Sequence, residues 1–409
     1  MIFDHSKIYP EYQGRINELN IKNLGCSTGL LPWVSNDSPS RVVMVGNHLS
    51  QMLVVDGATR RRHQTGAEAN YADATWKVVI PCTAKIIKII HKFPTNGFNG
   101  FKQNSETLVV YENLDARDEG KMELGCVTLK THHTIHQTFG FKFDQVKSTK
   151  HLLAVGEIIP AGTVFCRSPN VTDDGDWKFG LEANVAFMSI PQIIEDGYVV
   201  SESFCKKMTT TSIKTYTFSF GKNEYPLNVY ARPGDPKYRP FPEIGECVRD
   251  DGLLCATRKY DPMLAGVEMT AEALRTVDEV FDKPTYVTPG AEVIDIRVMH
   301  DPTQQTPPTP MGMEELANKY YTAQCRASNE LVGCYREFKR KHPNVTLTPE
   351  LHNLLVRSLA VNPTETNARV SLTHRASPLD DWTVEITLAI KVTPLECFKI
   401  TDLHGTNQF

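Results

Sequence analysis

No stretch of about 18 uncharged apolar residues occurs in this chain, so a membrane-spanning helix is not expected. The N-terminal run MIFDHSKIYPEYQGR has no basic segment leading into an apolar one, so a signal peptide is not expected either. No CxxC pair is found among the ten cysteines, which are scattered at positions 26, 82, 126, 166, 205, 247, 255, 325, 334 and 397. A zinc ribbon is therefore unsupported, and reduced, mostly buried thiols are the expectation. Basic charge is not in excess. Lys and Arg number 44 against 48 Asp and Glu, leaving a net charge of −4 and no global signature of a polyanion-binding surface. What is present is material for ordinary cores: 41% of 409 residues are hydrophobic and 22% charged, a length and balance that suit two or three domains.

Strand patterns dominate the first 300 residues. Ala74–Phe93 reads as two strands carrying Trp76, Val78 and Ile80, then Ile86, Ile87, Ile89 and Ile90, with a further strand over Thr107–Tyr111. A short internal echo joins residues 155–165 (VGEIIPAGTVF) to residues 244–254 (IGECVRDDGLL). Each has an apolar–Gly–Glu start and a Gly-bearing turn between strands, where glycine supplies the positive φ that tight hairpins need. The four prolines of HDPTQQTPPTP (residues 300–310) mark a linker. After it the period changes. Leu316, Tyr320, Ala323, Ala327, Leu331, Cys334 and Phe338 predict an amphipathic helix that ends before Pro343. Thr348 and Pro349 then read as the N-cap and first residue of a second helix through about Val361. Strict alternation returns from Thr383 to Val392, with Val384, Ile386, Leu388 and Ile390 on one face. A shorter helix is expected over Thr270–Phe281, where Leu274, Val277, Val280 and Phe281 recur at helical spacing.

Three constellations could carry chemistry. In EANVAFMSIPQIIEDGYVVSES (residues 182–203), two apolar runs, Val185–Met188 and Tyr198–Val200, flank Glu195 and Asp196. Read as two buried strands, they place two carboxylates at a sheet edge, where desolvation and mutual repulsion call for a cation or polar partner. His132, His133 and His136 lie in an alternating segment that reads as a strand, which would put His132 and His136 on one face and His133 on the other. With no acid or cysteine nearby in sequence, they fit a surface or a phosphate contact better than a metal site. Two basic clusters, Arg60–Arg61–Arg62–His63 and Arg336 with Lys339–Arg340–Lys341–His342, are solvated faces or nucleic-acid contacts.

Residues 182–203 resemble the segment "VAFMPW-x-GYNFEDSILVSE" of the second-largest (β) subunit of multisubunit RNA polymerases. Other patches follow that family in order. Residues 31–52 (LPWVSNDSPSRVVMVGNHLSQM) resemble "IPF-x-x-x-D-x-x-x-R-x-x-M-x-x-N-x-x-x-Q", and residues 64–68 (QTGAE) stand where the family has "GTGME". Residues 241–262 and 290–298 are similar to "PNVGE-x-x-L-x-x-x-G-I-V" and "GTVIDVQV", and LAIKVTPLECFKITDLHG to "LAVKRRI-x-x-GDKMAGRHG". Five patches in the same order over roughly 375 residues are more specific than any one of them.

The resemblance implies a mainly β fold with α+β elements. It would hold half of the active-centre double-psi β-barrel with a hybrid-binding β region, a flap domain, and a C-terminal helical segment returning to the barrel. The corresponding division is 1–203 hybrid-binding and barrel region, 204–300 flap-like domain, 301–312 Pro-rich linker, 313–363 helical segment and 364–409 barrel return. Residue by residue, Glu195 and Asp196 match acids near the second Mg2+, Asp196 acting on it through water. Arg41 matches a triphosphate contact. Asn47, Gln51 and His404 match positions facing the RNA–DNA hybrid, and Lys399 the first of two active-centre lysines. The aspartates that hold Mg2+ directly lie on the β′ subunit in the family, and no "DFDGD" phrase occurs here.

Implied partners are β′-like subunits, complementary β-like fragments, a specificity factor on the flap, template DNA and RNA, with no membrane. A split subunit of this kind resembles the polymerases of large bacteriophages, acting in the cytoplasm of the infected host or packaged in the virion. Two positions depart from the family: Ser50 replaces a basic residue, and Thr406–Asn407 stands at the second lysine. The second departure suits the alternative of a non-catalytic structural or regulatory descendant.

Overall fold

The computed structural model describes residues 25–94, 104–118, 120–136, 138–189, 191, 198–221, 224–300, 312–361, 382–393 and 399–400. Over these residues the chain is mixed α/β with five sheets, and among the described residues none closes into a barrel. Five antiparallel strands make the central sheet: β1 (His132–His136), β2 (Phe139–Lys142), β3 (Thr210–Phe220), β4 (Glu292–His300) and β5 (Trp382–Val392). Their spatial order is β4-β5-β3-β2-β1.

The alternation read in β5 is present as a buried face, with Val384, Ile386 and Leu388 fully buried and Ile390 nearly so. β3 meets β5 without a register break from Thr210↔Val392 to Phe220↔Trp382. A slip of one residue would turn the apolar face of β5 to water, so burial fixes the register. The opposite face carries hydroxyl pairs, Thr215 with Thr387 (3.1 Å) and Ser219 with Thr383 (3.2 Å).

A second sheet is built on the strands Ala84–His91, Glu106–Asn113 and Glu123–Lys130, edged by the short strands Ile158–Ile159 and Thr346–Leu347. The principal helices are α1 (Pro39–Ser50), α2 (Glu315–Lys341) and α3 (Pro349–Val361). At 27 residues α2 is about 40 Å long, enough to serve both sheets. Leu316, Ala317, Tyr320 and Ala323 pack on Val293, Ile296, Val384 and Ile386 of the central sheet. Leu331 and Val332, together with Leu351 and Leu355 of α3, pack on Ile90, Val110 and Leu124 of the second. Each such aliphatic side chain contributes about 1.5–3 kcal/mol by burial, which makes α2 the main tie between the sheets. Both helices begin and end as their sequences predict, and the Thr348 hydroxyl accepts the Leu351 N–H (3.4 Å).

The two echoing segments share one backbone plan. Gly156 donates to the Ile86 carbonyl (2.8 Å) while Ile86 donates to Glu157 (3.0 Å). Gly245 donates to Val293 (2.8 Å) while Val293 donates to Glu246 (2.9 Å). Gly156 and Gly245 take φ of 93° and 86°, which glycine reaches without a Cβ penalty.

Three sequence expectations need correction here. Residues 204–300, expected as one flap-like unit, divide between two places. Strands β3 and β4 at its ends belong to the central sheet, because their apolar faces complete the core under β5. The stretch between them has its own sheet of strands Glu224–Pro226, Leu253–Lys259 and Asp282–Tyr286 and a core of Tyr225, Leu227, Leu253, Ala256 and Leu274, while its Phe241, Val248, Leu254 and Cys255 pack into the core of the central sheet. The expected helix Thr270–Phe281 is a series of turns. Asp282, buried in a pair with Arg258 (2.6 Å), accepts the Asp278 N–H (2.7 Å), and Asp278 accepts the Val280 N–H (2.8 Å). Those side chains take over the backbone donors that a helix would use. The apolar run Val185–Met188, expected as a buried strand, is neither: residues 181–189 have no regular structure, and Phe187 is 97% exposed.

Candidate functional site

The expected site residues are best followed along the chain. Arg41 lies in the first turn of α1, exposed and without a partner among the described residues. Asn47 and Gln51 are also exposed. Four residues apart at the end of α1, they share a face that Arg41 does not. The helix is seated by Val42 and by Gly46, which is buried against Thr28; a Cβ at Gly46 would meet the Thr28 hydroxyl at 2.5 Å. Glu195, Asp196 and His404 lie outside the described residues, as does the Pro-rich linker. Lys399 falls in a two-residue strand, Lys399–Ile400, that pairs antiparallel with Tyr198–Val199 in the register Val199↔Lys399 and Tyr198↔Ile400. The backbone that follows Glu195–Asp196 is thus hydrogen-bonded to the backbone that carries Lys399, across about two hundred residues of sequence.

Other contacts tie the segment that follows α1 to one end of the central sheet. Val55 bridges Thr210, the first residue of β3. Asp56 donates its N–H to the Thr209 carbonyl (2.7 Å), and the Thr210 hydroxyl donates to the Val54 carbonyl (2.7 Å). Lys391, near the C-terminal end of β5, closes the junction by donating to Asp56 (2.5 Å) and to the Thr211 hydroxyl (3.1 Å). Sequence reasoning missed Lys391, whose only signal was its place on the outward face of an alternating strand.

The first basic cluster has an internal role. Arg60 pairs with Asp176, and Arg62 with Glu182 (3.0 Å). Arg61, largely buried, donates to Glu68 (2.7 Å) and to the Leu30 carbonyl and lies over the Phe179 ring (4.7 Å). Glu68 also accepts the Thr65 and Gly66 N–H groups (3.0 and 2.8 Å), which explains the QTGAE phrase as a charge-stabilised turn at φ +85°. Burial pushes the Glu68 carboxyl up, but the Thr65 donor and the Arg61 guanidinium outweigh it and leave its pKa lowered. In the second cluster Lys341 pairs with Glu337 (2.9 Å) on the last turns of α2.

The histidines do form a strand, β1, but a bulge between Thr134 and His136 sets His136 opposite Phe139. That shift breaks the expected alternation between His132 and His136. His133 contacts Trp76, Phe141 and Phe143 with ring centroids 4.5–5.7 Å apart, and burial followed by Lys130 lowers its pKa. Burial, then Lys142 and Lys391, pushes the His132 imidazole down to about 4. Among the described residues no three His, Cys, Asp or Glu side chains come together as metal ligands. No helix among them is long and apolar enough to cross a membrane. The chain matches no protein-family model, and no curated protein is significantly similar to it.

Proposed function

We propose that the chain is a β-like subunit fragment of a DNA-dependent RNA polymerase. In this reading it lines the active centre and RNA–DNA hybrid opposite a Mg2+-binding β′-like subunit. The observation that carries the reading is the pairing of Tyr198–Val199 with Lys399–Ile400, because those strands adjoin the two segments that the resemblance assigns to one active centre. The Val55–Thr210 bridge ties the segment that follows Arg41, Asn47 and Gln51 to the start of β3. In this reading the central sheet and the β-strand pair are half of a double-psi barrel that other chains complete. The exposed Val185, Phe187 and Met188 support an incomplete barrel, since apolar surface of that kind is costly to leave in water.

The chemistry divides by charge. A 3′-oxygen attacking an α-phosphate needs carboxylates for metal and cations for the triphosphate and the developing charge. Asp196, with Glu195, would act on the second Mg2+ through water. Lys399 would contact the RNA end and Arg41 the triphosphate, while Asn47, Gln51 and His404 face the hybrid. Mg2+ itself is held mainly by the partner. A specificity factor is assigned to the region between β3 and β4, where Met263, Val267, Val280 and Phe281 are exposed.

The test is reconstitution. This chain co-expressed with a "DFDGD"-bearing β′-like chain and the complementary β-like fragments should extend RNA on a preformed RNA–DNA scaffold, and Asp196→Ala should abolish extension. Undiminished extension by the Asp196→Ala complex would sink the reading. A second reading, a non-catalytic descendant, is favoured by Thr406–Asn407 at the second lysine position. It requires that the assembled complex extend RNA equally well without this chain.

A further inference from the structure

Among the described residues Trp33 is the one non-glycine residue with a positive φ, at φ 56° and ψ 36°. An L-residue in that region crowds its Cβ against the following carbonyl, and a bulky ring stays there only where its surroundings hold it. The surroundings do so. Leu30 is fully buried, its carbonyl accepts the Arg61 guanidinium, and the Leu30 and Leu31 N–H groups donate to the Ser27 and Thr28 carbonyls (3.1 Å each). On the other side the Trp33 carbonyl accepts the Asn36 N–H (2.9 Å), which closes a single 3-10 turn over Val34–Asn36. The strain wins no burial for the ring: Trp33 is 64% exposed. It meets the ring of His63, also exposed, with centroids 5.2 Å apart and planes inclined by 54°.

The chain neighbours of the two rings are polar. Asn36, Asp37, Arg62 and Gln64 are all exposed. A protein partner is held by contiguous apolar surface, whereas a nucleobase has an apolar face and polar edges and suits two rings set among polar groups. Charge is not what this surface offers. Arg60 pairs with Asp174 (3.8 Å) and Asp176, Arg61 with Glu68 (2.7 Å) and Arg62 with Glu182 (3.0 Å), and Asp37 is a further acid. Stacking is the interaction left to it. The same stretch runs beside the start of residues 182–203. Thr59 bridges Gly180 and donates to its carbonyl (2.9 Å), and the Arg62 N–H donates to the Glu182 carboxylate (2.7 Å).

We propose that Trp33 and His63 form a stacking platform for an unpaired base of a nucleic-acid strand that passes beside the start of residues 182–203. The proposal rests on the polymerase reading for the identity of the ligand, and adds contacts that neither the motifs nor the resemblance assigns. The strained backbone at Trp33 keeps the ring presented to solvent, and the base is held by its face, so the contact tolerates any sequence.

The experiment uses the full chain and two short fluorescein-labelled single strands of equal length and charge, oligothymidylate and the same backbone carrying abasic sites, with binding read by anisotropy. The wild-type chain should bind oligothymidylate about five- to a hundredfold more tightly, the range for one stacked base. Trp33→Ala should bind the two strands alike, Trp33→Phe should keep most of the preference, and His63→Ala should reduce it. Urea unfolding supplies a second readout. Trp33→Gly should be more stable than Trp33→Ala, the reverse of the usual order, because glycine takes φ 56° without a Cβ penalty.

Equal binding of the two strands by the wild-type chain, or binding of neither, would overturn the proposal while leaving the polymerase reading intact, because scaffold extension tests that separately. A preference that survives in Trp33→Ala would place the stacked base elsewhere and overturn it as well. So would a Trp33→Ala chain that no longer melts cooperatively, since the ring would then serve the fold. A Trp33→Gly chain less stable than Trp33→Ala would show that the backbone there is unstrained, and the ground for the proposal would fall.

Discussion

At the residue scale, the sequence phrases with family likeness resolve into different physical tasks. QTGAE is a structural turn. Glu68, 3% exposed, collects two backbone donors and a guanidinium, so its charge is satisfied only in the fold. Glu68→Ala strands the largely buried Arg61 and should cost about 3–5 kcal/mol, read as a fall in the urea midpoint at constant slope. The pH dependence has a definite sign. A carboxyl whose folded pKa is lowered stabilises fully above its unfolded pKa and loses that contribution as pH falls through the folded value. The gap between wild type and Glu68→Gln should therefore be widest near neutrality and close in acid; a gap that widens on acidification would contradict the assignment. Arg41 behaves differently, exposed and unpaired among the described residues. In the proposed polymerase complex Arg41→Ala should raise the KM for all four nucleotides about ten- to a hundredfold, as loss of a charge-assisted contact worth roughly 1.5–3 kcal/mol. Unchanged KM values would remove it from the site. Arg60–Arg62 shows the limit of composition: a basic run in sequence can be spent wholly on acids such as Asp176 and Glu182, far along the chain.

At the element scale, strong periodicity was decisive where it ran long. The buried alternation of β5, the span of α2 and the Thr348 cap of α3 were all legible, because each rests on local spacing that the core then reinforces. The turns at 270–281 were not, since the Arg258–Asp282 pair that reorganises them joins residues on different strands. Nor was the bulge in β1, which moves His136 out of step through a pairing that sequence does not display. These elements yield a test of the region between β3 and β4. Deleting residues 268–284 should leave extension on a preformed scaffold intact while weakening promoter-dependent initiation or pausing control. The deletion removes Asp282, so the variant should be checked first for a cooperative melt. Loss of scaffold extension as complete as that of Asp196→Ala, in a variant that still melts cooperatively, would assign the segment to the catalytic core.

At the scale of the whole molecule, the described residues close a core under each of the two large sheets but leave apolar side chains exposed in several places, the candidate site among them. The central and second sheets share α2, and the core beneath β5 is closed. Val185, Phe187 and Met188 stand in solvent, and Val199 is 41% exposed. The Val185–Met188 run looked like a buried strand because its composition is that of one, and burial is a property of the assembly that encloses it as much as of the chain. On the proposed reading, a separate subunit that supplies further strands would account for both observations. It also explains why the catalytic reading needs more than one polypeptide. In the isolated chain, the amides of residues 182–189 should exchange with solvent within seconds, having no sheet partner among the described residues. In the reconstituted complex the same amides should be protected by orders of magnitude, together with the strand Tyr198–Val199. The isolated chain should at the same time form no RNA, even with Mg2+ and all four nucleotides. Exchange that stays fast in a complex active in extension would show that this apolar segment is not a barrel strand, and the split-barrel architecture would fall even if the polymerase assignment stood.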